Sequence, residues 1–172
     1  MPATGPASLA ILQSLQTLII ANTSTTFAAL STADATRYGV ARAVYIGAPK
    51  DMKDVYLPAC QLIAEAESIV IAGAQARVED TLTVRLRALV DFSDWWVAEQ
   101  SILSIRDVLL PLLITHLRAG SSAGGNLTAF SAEHTPESGA FETVKVADVW
   151  YRTWSAQLSL MQTYVPASGF SG

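Results

Sequence analysis

Thr81-Leu82-Thr83-Val84-Arg85-Leu86-Arg87-Ala88-Leu89-Val90 is the clearest strand signal in this chain of 172 residues. Its even positions are all apolar and its odd positions, except Leu89, are polar. This alternation predicts a strand with one buried face and one polar face, as in an antiparallel sheet that packs on one side only. The preceding segment, Gly73 to Asp80, is predicted to be a loop or hairpin tip.

A long helix is predicted directly after this strand. Ser93 or Asp94 caps its start, it runs from about Trp95 to Ala119, and Gly120 ends it. Pro111 falls inside this range, but it lies on the narrow polar stripe of the helix, where water can satisfy the freed carbonyl group. One bent helix is therefore expected rather than two.

Shorter elements are predicted before the strand. Apolar residues at helical spacing predict a helix from about Leu9 to Asn22, and its polar face carries amides and hydroxyls but no charge. Arg42 to Ile46 and Cys60 to Ile63 are each predicted to be strands, and the charged segment Lys50 to Asp54 a solvated loop.

The chain after the long helix is predicted to be mostly extended. Gly120 to Gly125 is expected to be a flexible loop, and a turn is expected at Thr135 to Gly139. Strands are predicted at Asn126 to His134, Phe141 to Val149 and Thr153 to Val165. The fold class is therefore α+β: a single domain over residues 1–166, with an antiparallel sheet packed against an N-terminal helix and a long central helix. Residues 167–172 are expected to form a flexible tail.

The composition excludes several classes of protein. Hydrophobic residues make up 51% of the chain, which is too many for a disordered protein. Charged residues make up 15%, against about 25% in an ordinary soluble domain, and the net charge is −4. The chain is thus not basic enough to bind nucleic acid by neutralising phosphates. A low charge fraction is typical of a subunit whose surface is covered in a larger assembly.

Membrane insertion and secretion are not expected. The most apolar stretch, Ile102 to Leu117, contains two charged residues and Pro111, so no membrane span is predicted. The first charged residue is Asp34, so the N-terminus lacks the positive charge that precedes the apolar core of a signal peptide.

Candidate catalytic and metal-binding residues are few. Cys60 is the only cysteine, so a disulfide framework is excluded. It lies in a predicted buried strand. His116, near the end of the long helix, and His134 lack the spacing of metal ligands. Glu65 and Glu67 would share one face of an extended strand, where solvation is expected rather than catalysis. We therefore predict no catalytic residue, cofactor or metal. The alternative from another functional class is a small enzyme or ligand-binding domain that uses Cys60, His116 or the Glu65/Glu67 pair.

Four tryptophans remain: Trp95, Trp96, Trp150 and Trp154. Core packing is the expected role, because large aromatic rings anchor protein cores. Exposure at a subunit contact is the functional alternative.

The order and spacing of these elements resemble the tail terminator proteins of long-tailed bacteriophages. The matching stretches span about residues 6 to 166 of the chain. They are Leu57 to Ile63, Thr81 to Val90, Ala98 to Gly120, and Phe141 to Tyr164. This family has no catalytic signature, so the resemblance rests on the pattern of elements.

The resemblance implies a structural virion protein that acts at the head-tail junction, after assembly in the host cytoplasm. Members of this family form a hexameric ring that caps the head-proximal end of the tail tube and stops its polymerisation. The ring also joins the tail to the head connector, and DNA passes through its lumen. The acidic balance of the chain suits a channel that does not bind DNA. Another neck component, such as a head-completion or stopper protein, or a tube subunit, is the alternative.

These roles suggest candidate contact residues. Subunit contacts are predicted on the first helix and on the polar face of the central strand, at Gln13, Gln16, Arg85 and Arg87. Contacts with the tube protein or the connector are predicted in two loops, at Gly73, Gln75, Glu79, Asp80, Ser121 and Gly124.

Overall fold

A computed structural model of the protein describes seven parts of the chain. They are residue 9 and residues 11–21, 43–47, 57–72, 77–118, 137–146 and 148–164. In chain order the elements are α1 (residues 11–21), β1 (Ala43–Ile46), β2 (Ala59–Ala72), β3 (Arg77–Asp91), α2 (Trp95–Arg118), β4 (Glu137–Val146) and β5 (Val149–Tyr164). The predicted α+β class is confirmed.

The five strands form one sheet in the order β1-β2-β3-β5-β4. Only the short β1 runs parallel to its neighbour, β2; the other three pairs are antiparallel. β3 is the centre of the sheet because it pairs along most of its length with both β2 and β5. β1 and β4 are the outer strands of the described sheet.

Both helices cover the same face of the sheet. The even positions of β3 and β5 point to this face, where Leu86 lies opposite Ala156 and Ala88 opposite Trp154. These side chains share one buried cluster with residues from both helices. The helical members are Ile11, Leu12, Leu15, Leu18, Ile19, Ala98, Ile102, Ile105, Leu109 and Leu113. The apolar even positions that predicted the central strand thus point to this covered face. The polar odd positions point to the opposite side of the sheet, which we call the open face.

The long helix forms as predicted. The Asp94 carboxylate accepts hydrogen bonds from the backbone N–H groups of Trp96 (2.9 Å) and Val97 (3.2 Å), so Asp94 is the N-cap residue. Pro111 lies within the continuous helix and is exposed to solvent. The exposed position explains why the proline is tolerated, because water can bond to the carbonyl group that loses its helical partner.

β2 is longer than predicted and contains a bulge. It extends through Ala72 instead of ending at Ile63. The register with β3 shifts between Ala64 and Ala66, so Glu65 is the additional residue. Glu65 forms an ion pair with Arg85 on the open face, whereas Glu67 lies opposite Leu82 on the covered face. The prediction that the two glutamates share a face is therefore wrong, because the bulge reverses the alternation.

Three predicted boundaries also differ from the structure. β3 begins at Arg77, so the predicted loop at Gly73 to Asp80 is wrong over its last four residues. β4 begins at Glu137, inside the predicted turn, and Val149 starts β5 instead of ending β4. Asp148, directly before β5, has a positive φ of 69°. An aspartate tolerates this backbone conformation, so a turn separates β4 from β5 at this position.

Several predictions lie outside the described residues. They concern the segments Lys50 to Asp54, Gly120 to Gly125 and Asn126 to His134, and the tail at Ala167 to Gly172.

Candidate subunit interface

The second half of β2 presents one free side. β1 pairs only with Ala59 to Leu62, and no other described strand pairs with the outer side of β2. Beyond the bulge, the segment Ala66–Ile71 is exposed throughout, with Ile69 56% and Ile71 71% accessible to solvent. We call this segment the β2 free edge. Its backbone N–H and C=O groups form a template for another strand.

The outer side of β4 is the second free side of the described sheet. The pairing of β4 with β5 is irregular between Ser138 and Phe141 and regular from Phe141 to Val146. Within this regular segment only Val144 is half-buried, and the other side chains are exposed. We call Phe141–Val146 the β4 free edge.

Three of the four tryptophans are exposed, which corrects the expectation of core packing for them. Trp95 and Trp96 open α2, and their rings meet edge to face with centroids 5.5 Å apart. Trp150, near the start of β5, accepts a hydrogen bond at its carbonyl from the Phe92 N–H (3.2 Å). Only Trp154 is fully buried. We call Trp95, Trp96 and Trp150 the aromatic end; exposed tryptophans of this kind are frequent anchors of protein interfaces.

The four residues predicted at the subunit interface have different environments. On α1, Gln13 is exposed, but the Gln16 side-chain amide donates to the Val44 carbonyl of β1 at 2.5 Å. Gln16 therefore attaches α1 to the edge of its own sheet. On the open face, the Arg85 guanidinium lies 2.7 Å from the Glu65 carboxylate, and Arg87 is half-buried.

Two of the six residues predicted to contact the tube or connector lie in the described part of the structure, and both are in a strand instead of a loop. Glu79 and Asp80 belong to β3, where Glu79 is half-buried and Asp80 is completely buried. Asp80 is therefore inaccessible to a partner, because its side chain points to the covered face. Gly73, Gln75, Ser121 and Gly124 lie outside the described residues.

Sequence analysis did not identify the ion pair that fixes α2 to the sheet. Arg152 of β5 donates from Nε to one carboxylate oxygen of Glu99 (2.7 Å) and from a terminal nitrogen to the other (3.2 Å). The same guanidinium lies over the Phe141 ring, 5.8 Å from its centroid. The partners are 53 positions apart, so no local sequence signal connects them.

The buried cysteine has the properties of a core residue. Cys60 is completely buried, and burial raises the pKa of its thiol to about 12. A thiol with so high a pKa is not a nucleophile near neutral pH. His116 lies in α2 but its side chain, like all of His134, is outside the described part of the structure. Over the described ranges, no three His, Cys, Asp or Glu side chains are grouped so that they could hold a metal ion.

Neither of the two described helices is long and apolar enough to cross a membrane. A scan against protein-family models finds no match for this chain, and a search of the curated proteins finds no similar sequence. The function therefore has to be inferred from the fold and its exposed surfaces.

Proposed function

We propose that this protein is a structural virion subunit, the tail terminator of a long-tailed bacteriophage. Six copies would form a ring on the head-proximal end of the tail tube, stop tube polymerisation and join the tail to the head connector. DNA would pass through the ring without specific binding, and no catalytic step is involved.

The observation that carries this proposal is the presence of unlike apolar surfaces at opposite ends of one sheet. The β2 free edge lies beside the first residues of β3, near Val78. The aromatic end lies beside the last residues of β3, near Asp91 and Phe92. Head-to-tail contacts between copies need two different surfaces on each copy, and such contacts close into a ring when the rotation closes.

The charge of the chain supports the same proposal. Only 15% of its residues are charged and the net charge is −4. Few charges reduce the desolvation cost of covering much of the surface with neighbouring subunits. A net negative charge also reduces non-specific attraction to the DNA that passes through a ring.

The first experiment is light scattering on the purified protein at several concentrations. A mass near six times 18.3 kDa is expected. A stable dimer with two-fold symmetry would contradict the proposal, because a closed two-fold contact leaves no unlike surfaces for a ring.

The second experiment tests capping itself. The protein is added to the polymerising tube protein of the same phage, and tube lengths are measured by electron microscopy. Tubes are expected to stop growing and to carry one ring at a single end. Continued growth with the protein distributed along the tube would indicate a tube subunit instead. The variant Trp95→Ala/Trp96→Ala is tested beside the wild-type protein; it removes two exposed rings but no core side chain and is expected to cap less efficiently.

A further inference from the structure

We infer that the aromatic end of one copy of this chain packs on the open face of the next copy, where Arg87 is the cation that it binds. The inference rests on the proposed ring and names the two surfaces that meet at each subunit contact. The occupant of both surfaces is a second copy of this chain, because each surface carries what the other lacks. One has aromatic rings and unbalanced negative charge, and the other has an unbalanced positive charge.

Arg87 is a cation without a counter-ion in the described part of the chain. It is half-buried on the open face of β3. The other basic side chains that the structure describes each form an ion pair within the chain: Arg85 with Glu65, Arg106 with Asp107, Lys145 with Asp148 and Arg152 with Glu99. No such pair joins Arg87 to a described residue. A carboxylate from a neighbouring copy can therefore bind Arg87 without displacing a partner.

The open face is accessible around Arg87. From Thr81 to Arg87 the odd positions of β3 are half-buried, whereas the even positions from Leu82 to Ala88 are buried under the helices. Ser155 lies opposite Arg87 on β5, and Gln157, the next residue of β5 on this face, is exposed. Neither described helix packs on this side of the sheet. A neighbouring copy can therefore approach the Arg87 guanidinium from this side.

The three exposed tryptophans belong to one end of the domain. Trp95 and Trp96 lie one helical turn before Glu99 on α2, and Trp150 lies two residues before Arg152 on β5. The ion pair between Arg152 and Glu99, 2.7 Å long, joins the two elements at this end. Each of the three tryptophans is between 50% and 64% accessible to solvent. They form an aromatic surface that folding of one copy leaves exposed.

Two carboxylates give this end a negative charge. Asp91 accepts a hydrogen bond from the Ser93 hydroxyl, and Asp94 accepts two from the N–H groups of Trp96 and Val97. All these donors are neutral, and no ion pair joins either aspartate to a described cation. The start of a helix contributes about half a positive charge, which two full negative charges exceed. The aromatic end is therefore suited to a cation.

The two surfaces together provide a strong type of contact between proteins. A guanidinium group is attracted to the face of a tryptophan ring and also binds carboxylates, so Arg87 gains from both groups at the aromatic end. Tryptophan and arginine are the residues most enriched among those that dominate binding at interfaces. Because the two surfaces are different parts of the chain, the contact is head-to-tail and can close into a ring.

Two blocked variants test the contact directly. Arg87→Glu blocks the open face, and Asp91→Asn/Trp95→Ala/Trp96→Ala blocks the aromatic end. Asp94 is left in place because it caps α2. Each variant alone is expected to be a monomer by light scattering, because every contact would then involve one blocked surface. Their mixture is expected to contain a dimer of twice 18.3 kDa and nothing larger, since one intact surface remains on each partner.

The mixture also distinguishes this contact from its rivals. A two-fold contact uses the same surfaces on both copies, so mixing the two variants would not restore it. A mixture that stays monomeric at every concentration would overturn the inference, and so would a wild-type protein that stays monomeric. Circular dichroism checks that both variants are folded.

A matched pair of arginine variants measures the charge contribution. Arg87→Gln is expected to raise the protein concentration needed for assembly about tenfold, because the aspartates of the neighbouring copy lose their cation. Arg106→Gln changes the net charge equally but removes an ion pair with Asp107 on α2, away from both surfaces. This control is expected to assemble like the wild type. Equal effects of the two variants would overturn the role of Arg87.

Fluorescence quenching follows the aromatic end in the wild-type protein. Trp95, Trp96 and Trp150 are exposed in one copy, whereas Trp154 is fully buried. Acrylamide is therefore expected to quench the tryptophan emission of the dilute protein, and to quench it less at concentrations where light scattering detects the assembly. Quenching that does not change on assembly would overturn the inference, because the aromatic end would then stay exposed.

Failure of the inference and failure of the proposed function give different results. Rings of Arg87→Gln protein that form and cap tubes at wild-type concentrations would overturn the contact and leave the terminator function standing. The expected dimer in the mixture of blocked variants, together with tubes that continue to grow in the presence of wild-type protein, would support the contact and contradict the terminator function.

Discussion

The two halves of β2 have similar sequences and opposite environments. In the first half, Ala59 to Leu62 are buried under the helices or beside β1. In the second half, Ala66 to Ile71 are exposed, although this half includes three consecutive β-branched apolar residues. The difference shows that hydrophobicity decides which residues benefit from burial, and the neighbouring elements decide which are buried within one chain. The exposed half is therefore the part of β2 that the described elements leave uncovered.

The largest expected effect separates the two halves directly. Leu62→Ala is expected to lower the free energy of unfolding by about 2–5 kcal/mol, because it opens a cavity in the buried cluster. Ile71→Ala, in the same strand but 71% exposed, is expected to change it by less than about 0.5 kcal/mol in the monomer. Urea unfolding of both variants measures the contrast. Equal losses would show that the second half is also covered within one chain.

A comparison of two arginines sharpens the contrast between the faces of the sheet. Arg152→Met is expected to cost about 1.5–3 kcal/mol, because it removes two charge-assisted bonds and leaves Glu99 beside the core. Arg85→Met removes the more exposed Glu65 pair and is expected to cost less than about 1 kcal/mol. Thermal unfolding of the two variants at low and at moderate salt measures both losses. A larger loss for Arg85→Met would contradict this assignment of the faces.

The long helix α2, which packs against β3 and β5, depends on its N-terminal cap. Asp94→Ala is expected to destabilise the protein by about 1 kcal/mol, because the N–H groups of Trp96 and Val97 lose their acceptor. Ser93→Ala is the control: its hydroxyl donates to the Asp91 carboxylate and not to the helix. Chemical unfolding monitored by circular dichroism compares the two. A larger loss of stability for Ser93→Ala would show that Asp94 is not the residue that caps α2.

The smallest effect is expected in a labelling experiment on the native thiol of Cys60. At pH 8 Cys60 is expected to resist a thiol reagent in the folded protein, since burial both blocks access and raises its pKa to about 12. Ile69→Cys in a Cys60→Ala background is expected to react at the rate of an exposed cysteine when the protein is dilute. Fast labelling of native Cys60 would show that the first half of β2 opens to solvent.

The outcome of the same Ile69→Cys labelling depends on concentration if the second half of β2 is covered in the proposed ring. At concentrations where light scattering detects the assembly, the reaction is expected to slow, because the β2 free edge would then be covered. A rate independent of concentration would indicate that this edge stays exposed in the assembly.

The sequence predicted those parts of the fold that depend on local patterns. The alternation at Thr81 to Val90 identified the central strand and its buried face, and Asp94 marked the start of α2. The placement of Pro111 on the polar stripe predicted one continuous helix. These features depend on strand periodicity, capping and side-chain polarity, which a few neighbouring residues determine.

The candidate interface was much less predictable. Arg85 was correctly placed on the open face, but the two free edges were not recognised, since a strand is an edge only if no other strand pairs with it. The apolar run at Ile69 to Ile71 could not indicate that these side chains are exposed.

The sequence by itself determined the α+β class, the central strand, the capped helix and the low charge content of the chain, because each depends on composition or on residues close in the chain. Only the tertiary structure decided the bulge at Glu65, the bond from Gln16 to Val44 and the pairing of Arg152 with Glu99. It also decided which half of β2 the helices leave uncovered. The physical reason is that burial and pairing are properties of surfaces in contact, and these surfaces come from distant parts of the chain.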